Sequence, residues 1–168
     1  MITTKDIEAR LLLRFKYLQN ICVLNVKEGR LVNFETDLLV LTKSRYAYGV
    51  EIKVSKSDLK NDLRKRKYIR AKNALDDTED FLKKHYYYRF KRFYYAVPES
   101  ILNETREIAP SFCGILSIGA FIEEVREPKT INNTKWSVED ALRLATLGNI
   151  RFNSYKIQQQ EKRLFMKD

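Results

Sequence analysis

Glu51 and Lys53 stand two residues apart in a stretch, YGVEIKVSKSDL, that opens as a strand. Tyr48, Val50, Ile52 and Val54 alternate along it, so one face is apolar. The other face carries Glu51 and Lys53, preceded by the small residues Ala47 and Gly49. A side-chain period of two puts the acid and the base on that same face. Two further acid-x-Lys triplets occur, Asp58-Leu59-Lys60 and Glu127-Pro128-Lys129. The first falls in the opening of a helix, where its side chains diverge and Asp58 complements the helix dipole. The second abuts a proline at a strand end. Context therefore singles out Glu51 and Lys53.

A second acid comes from the preceding run, NFETDLLVLT, at 33–42. If Lys43, Ser44 and Arg45 form the loop of a hairpin with 47–54, Asp37 lies opposite Glu51 and Leu39 opposite Gly49. Residues so opposed are about 4.5–5.5 Å apart, and like charges there repel. Two such carboxylates need a cation, or one of them takes up a proton. Oxygen ligands suit Mg²⁺ or Mn²⁺, completed by waters and substrate phosphate. The same register has a plainer reading, in which Lys53 forms an ordinary cross-strand ion pair with Glu35.

The elements that must position these residues follow from local signals. Thr3 or Thr4 caps a first helix with Ile7, Leu11, Phe15 and Leu18 on its apolar face, running to about Tyr17 or Leu18. ICVLNV at 21–26 is a β-rich run. Ser55 or Ser57 caps a long basic helix to about Asn73, with Leu59, Leu63 and Ile69 inward. Asp76, Asp77 and Thr78 read as a break and a fresh cap before EDFLKKHYYY. RFYYAVPES is a strand stopped by Pro98, ILNETREIA a short helix, and CGILSI with FIEEVRE a hairpin across Gly119. Ser137 opens a final helix with a flaw expected at Gly148-Asn149. The order predicts an α/β sheet with helices packed on it.

The chain has 168 residues, 44% hydrophobic and 32% charged, enough for one globular domain with a substantial core. Its 32 Lys and Arg against 22 Asp and Glu give a net charge of +10, which favours polyanionic partners, nucleic acid first. No apolar run reaches the ~18 residues of a membrane span. The N-terminus is charged throughout and carries no signal-peptide cleavage pattern. Two cysteines, Cys22 and Cys113, and one histidine, His85, assemble no zinc-ligand spacing; the thiols are expected to be buried and reduced. The expected address is cytoplasmic.

Asp37, then Glu51-Ile52-Lys53 on the next strand, after a helix bearing Glu8, resembles the PD-(D/E)xK nuclease superfamily. The longer run, TDLLVL, YGVEIKVSKSDLKNDL and then RFYYAVPE, is similar to the MmcB-type DNA repair proteins and related phage proteins within it. The likeness runs from about Glu8 to Pro98. Thr36 replaces the proline of the superfamily name, LRKRKYIR stands where the MmcB-type helix carries a tryptophan, and extra residues lie around 72–88. The resemblance implies a restriction-endonuclease-like mixed sheet flanked by helices; the chain is expected to be a single domain with a core over about 4–128 and a C-terminal helical segment at 137–166. It implies Asp37, Glu51 and the Ile52 carbonyl as ligands of Mg²⁺ or Mn²⁺, and Glu8 as ligand to a second metal or a water. Lys53 would orient or activate the attacking water and offset charge on the phosphate.

Between 56 and 72 the chain is strongly basic, and this helix springs directly from the proposed active strand. Ser55, Lys56, Ser57, Lys60, Arg64 and Lys67 are the candidate DNA contacts, binding phosphates without reading sequence. HYYYRFKRFYY at 85–95 has the composition of a base-stacking surface, but its alternation on a strand fits a core better. His85 reads as a surface residue, and Trp136 as a packing anchor before the helix cap. Together these features predict a metal-dependent nuclease hydrolysing DNA in repair, recombination or phage DNA processing. A non-catalytic DNA-binding module on the same fold is the alternative, and RNA is a third substrate class. A homodimer would be compatible with cutting both strands.

Overall fold

The computed structural model describes residues 2–27, 29–62, 65–74 and 77–165; the side chains of Arg66 and of 159–165 lie outside that description. Six strands form one sheet in the order β1 (Ile21–Val26), β2 (Thr36–Leu41), β3 (Ala47–Ile52), β4 (Arg92–Pro98), β5 (Gly114–Ile118) and β6 (Ile122–Arg126). β1, β2 and β3 form an antiparallel meander, β3, β4 and β5 run parallel, and β6 returns antiparallel to β5. The two parallel connections need crossovers. Helices α2 (Lys56–Asp62), α3 (Arg66–Lys72) and α4 (Thr78–Leu82) supply the first, and α5 (Leu102–Ile108) the second. The fold is α/β, a mixed sheet flanked by helices.

The β2–β3 register is set by its turn. Thr42 N–H donates to the Tyr46 carbonyl at 3.0 Å and Arg45 N–H to the Thr42 carbonyl at 2.8 Å, closing a loop of Lys43, Ser44 and Arg45. Arg45 takes a left-handed conformation, φ 63°, the usual third position of a three-residue hairpin. Leu38 then faces Val50 and Leu39 faces Gly49, as expected from the sequence.

The two faces of the sheet are packed differently. Leu38, Val40, Val50, Ile52, Tyr94 and Ala96 receive Ile7 and Leu11 of α1 (Thr4–Arg14). Leu39, Leu41, Ala47, Phe93, Tyr95 and Val97 face Leu59, Tyr68, Ala71, Leu82, Tyr87 and Phe90 on the other side. Gly49 is on this second face because an added Cβ would meet Phe93 Cε2 at 2.4 Å and Phe90 Cε1 at 2.8 Å. The small residues ahead of Glu51 are thus the floor of an aromatic cluster. The aromatics of 85–95 do fill core: Tyr87, Phe90, Phe93 and Tyr95 are all buried.

Three local expectations are corrected. The first helix stops at Arg14, because Lys16 turns left-handed at φ 53°; Leu18 is 84% exposed. The long basic helix is two helices, since Lys65 is extended (φ −63°, ψ 145°), and the following α3 turns Ile69 outward, 51% exposed. The expected inward Leu63 lies outside the described residues. The last helix, α6 (Val138–Phe165), passes through Gly148 without a flaw. A Cβ at 148 would stand 3.1 Å from Val23 Cγ2, so this glycine serves close packing on β1. Ser137 Oγ caps α6 by accepting from Asp140 N–H at 3.0 Å, and the preceding Trp136 is buried with its indole N–H bonded to the Arg89 carbonyl.

Candidate active site

Glu51 lies at the end of β3 and Lys53 directly after it; both are buried. Lys53 Nζ donates to Glu51 Oε1 at 2.8 Å and lies 3.3 Å from Asp62 Oδ1 and 3.9 Å from Asp58 Oδ1. Lys65 reaches the same acids from above α2, 2.6 Å from Glu51 Oε1 and 2.6 Å from Asp62 Oδ1. Two ammoniums therefore sit between two buried carboxylates. Asp62 Oδ2 accepts from Tyr95 Oη at 2.9 Å, and Tyr95 Oη meets Tyr68 Oη at 2.8 Å. Asp62 Oδ1 holds its ammonium neighbours as ion pairs without hydrogen-bond geometry.

Helix α2 makes this possible. Ser55 Oγ accepts from Asp58 N–H at 3.2 Å and starts the helix directly after the strand. With Leu59 buried under the sheet, Asp58 and Asp62, one turn apart, face back over Lys53.

Asp37 adjoins the cluster from β2. Its Oδ2 accepts the Ile52 N–H at 2.7 Å. Burial and the charge of Glu51 push its pKa up to about 6, against the pull of the Ile52 N–H, Lys53 and Lys65. Asp37 and Glu51 thus feel each other's charge just beyond the last paired residues of the hairpin, Leu38 and Val50. Ile52 enters the site through its N–H. Burial works against the charge of Lys53, but Glu51 and Asp62 outweigh it and raise its pKa above the ordinary lysine value. Lys65 is raised in the same way.

Several assignments change. The Lys53–Glu35 ion pair does not form: Lys53 is taken by Glu51 and Asp62, and Glu35 is exposed. Glu8 is half-buried on α1, which docks through Ile7 and Leu11 on the other face of the sheet, and its side chain makes no hydrogen bond or ion pair among the described residues. Lys67 is not on the surface; it is 3% exposed, bonded to Tyr87 Oη at 3.0 Å and 3.8 Å from the centre of the Phe34 ring. Lys56 and Lys60 are exposed, Lys56 paired with Glu104 of α5. Ser57 is also exposed, its Oγ 3.0 Å from that of the half-buried Ser55. Arg64 lies outside the described residues. Asp62 and Lys65 were not singled out by the sequence reading. The one-turn spacing of Asp58 and Asp62 after a strand carrying Lys53 was the available signal for the first; Lys65, beyond the end of α2, had none.

Among the described residues, no three acidic, histidine or cysteine side chains converge closely enough to hold a metal ion. The loose ends of the pair decide what fits. Glu51 Oε2 is buried without a hydrogen-bond partner, and Asp37 engages only Oδ2 among the described residues. Two carboxylates with spare oxygens match one Mg²⁺ or Mn²⁺ that keeps several waters. Cys113 is buried and Cys22 half-buried, with burial pushing the Cys22 thiol up to about 11, so neither offers a thiolate. No helix of the described residues is long and apolar enough to cross a membrane.

No family model matches the chain, and no curated protein matches it. Among solved structures, it is similar to a protein of unknown function from Silicibacter pomeroyi, at 17% identity and a TM-score of 0.54, over 91% of this chain and 88% of that one. At that identity the likeness speaks for the fold alone, the α/β sheet flanked by helices.

Proposed function

We propose that this protein is a divalent-metal-dependent nuclease of the PD-(D/E)xK kind, hydrolysing phosphodiesters of DNA in repair, recombination or phage DNA processing. The observation that carries the reading is the acid pair: Asp37 beside Glu51, with Glu51 Oε2 orphaned and Lys53 bonded to the same carboxylate. Binding to DNA alone needs no acids next to a basic helix. Asp37 and Glu51 would hold one Mg²⁺ or Mn²⁺, which supplies a lowered pKa for bound water and positive charge beside the phosphate. Lys53, kept charged by Glu51 and Asp62, stabilises negative charge that builds on the non-bridging oxygens rather than taking a proton. Asp62, itself held by the Tyr95 hydroxyl, holds Lys53 in place. Lys56 and Lys60, on the exposed side of α2, give non-specific contacts to the DNA backbone.

A second reading is a DNA-binding module that keeps the fold without turnover. It draws support from Glu51 Oε1, which is already charge-balanced by Lys53 and Lys65. Incubation with single-stranded, duplex and branched DNA and with RNA, with and without Mg²⁺ or Mn²⁺, separates the two. Metal-dependent cleavage lost in Asp37→Ala and Lys53→Ala supports the nuclease. Metal-independent binding with no cleavage, unchanged in those variants, supports the module.

A further inference from the structure

Beside the acid cluster lies a cavity of about 240 Å³, lined by Asn33, Phe34, Glu35, Lys65, Lys67, Arg70 and Tyr86. It is smaller than the roughly 300–1,000 Å³ of drug-sized ligand sites, so it suits a small group. Lys67 is the unusual member. Its ammonium is buried, donates to Tyr87 Oη and lies over the Phe34 ring, yet no carboxylate stands within ion-pair distance of it among the described residues. A buried ammonium with no carboxylate in direct contact is costly, and an anion held against it would offset that cost. Lys53 and Lys65 make the close ion pairs to Glu51 and Asp62, and Lys67 feels those two acids only at longer range. Arg70, also on the cavity wall, has no ion-pair partner among the described residues either. Glu35, exposed, is the only acid of the lining among the described residues.

The wall opposite α3 is a π-helical turn, Lys83–Tyr87, that continues α4. It brings Tyr86 to the cavity and Tyr87 under Lys67. Such turns interrupt regular helices at a cost and are frequent at functional sites. Asn33 ties this turn to the start of β2 by donating to the His85 carbonyl at 2.9 Å. The cavity is therefore walled from three segments and does not depend on one mobile side chain.

We infer that this cavity is a phosphate-binding pocket, in which Lys67 and Arg70 hold the oxygens of a phosphate monoester. A monoester carries close to two negative charges and three strong acceptor oxygens, which match an ammonium and a guanidinium fork. The aromatic wall, Phe34 and Tyr86, suits the sugar or base attached to it. Free phosphate, a nucleoside monophosphate and the phosphorylated end of a polynucleotide share this chemistry. The inference concerns binding and does not rest on cleavage. Lys65 belongs both to this cavity and to the Glu51 carboxylate, so a polynucleotide end held here would lie next to the acid pair.

Isothermal titration of the full chain in EDTA tests it, with inorganic phosphate, thymidine monophosphate, and short oligothymidylates that are 5′-phosphorylated, 3′-phosphorylated or unphosphorylated. A phosphorylated oligonucleotide is expected to bind about tenfold tighter than the unphosphorylated one, or inorganic phosphate or the mononucleotide to bind measurably by itself. Preference for the phosphorylated ends assigns the pocket to polynucleotide termini; comparable binding of the small probes assigns it to the free monoester. Lys67→Met or Arg70→Gln should abolish the preference, and Arg70→Gln, at an exposed position, decides the matter if Lys67→Met does not fold. Equal affinity for phosphorylated and unphosphorylated oligonucleotides, with no heat from the small probes, would overturn the inference. So would a preference that survives in both variants. Phosphate binding without metal-dependent cleavage would leave this pocket standing and remove the nuclease reading.

Discussion

Lys53 Nζ lies 2.8 Å from Glu51 Oε1, within one strand face and shielded from solvent on both partners. Removing one member of such a pair leaves an uncompensated charge in the interior. Lys53→Met should destabilise the protein by about 3 kcal/mol, since Glu51 and Asp62 then share Lys65 alone. Adding Glu51→Gln to that variant should restore much of the loss. Urea denaturation of the single and double variants measures both; an unaltered midpoint in Lys53→Met would show that the pair is not formed.

Asp37 sets a pH dependence of opposite sign to that of a salt-bridged acid. Its folded pKa of about 6 lies above the ordinary 3.8, so the native state binds its proton more tightly than the unfolded chain does. Its contribution to stability should therefore improve as pH falls from above 6 towards 4, and be constant below that. The cost at pH 8 is about 3 kcal/mol at most. Asp37→Asn, which keeps an oxygen for the Ile52 N–H, should raise the melting temperature at pH 8 and have little effect at pH 4. A variant less stable than the parent at pH 8, in EDTA, would contradict the raised pKa.

The hairpin was readable from residues 33–54 because a short loop leaves few registers, and alternation of Val50 and Ile52 with Gly49 and Glu51 excludes a slip by one. The same register runs on towards Asp37 and Glu51, and the charge of Glu51 acts on Asp37. That logic failed for Lys53, since a strand pattern sees only strand neighbours, and the partners that capture this lysine come from α2 and from Lys65 beyond it. Lys67 was misplaced for a related reason. In a run of basic residues, charge says outward, whereas the break at Lys65 rotates the next turn so that the Lys67 ammonium packs over the Phe34 and Tyr87 rings. Glu8 was chosen by its position in a motif, while the docking face of α1 is decided by Ile7 and Leu11.

Exposed lysines of α2 should show themselves through salt. If Lys60 contacts one phosphate, Lys60→Gln should weaken DNA binding by a similar factor on any sequence and reduce the slope of log K against log salt by about 1. Fluorescence anisotropy at several ionic strengths reads this directly. An unchanged slope would place the DNA elsewhere on the surface.

The claim on which the functional account turns is that Asp37 and Glu51 jointly hold a divalent ion. Titration of the protein with Mn²⁺, followed by electron paramagnetic resonance of the free ion, tests it without knowing the substrate. The account predicts one Mn²⁺ bound per chain, with binding lost in Asp37→Asn and in Glu51→Gln while both variants stay folded. No uptake by the parent protein, or uptake that persists in both variants, would contradict it.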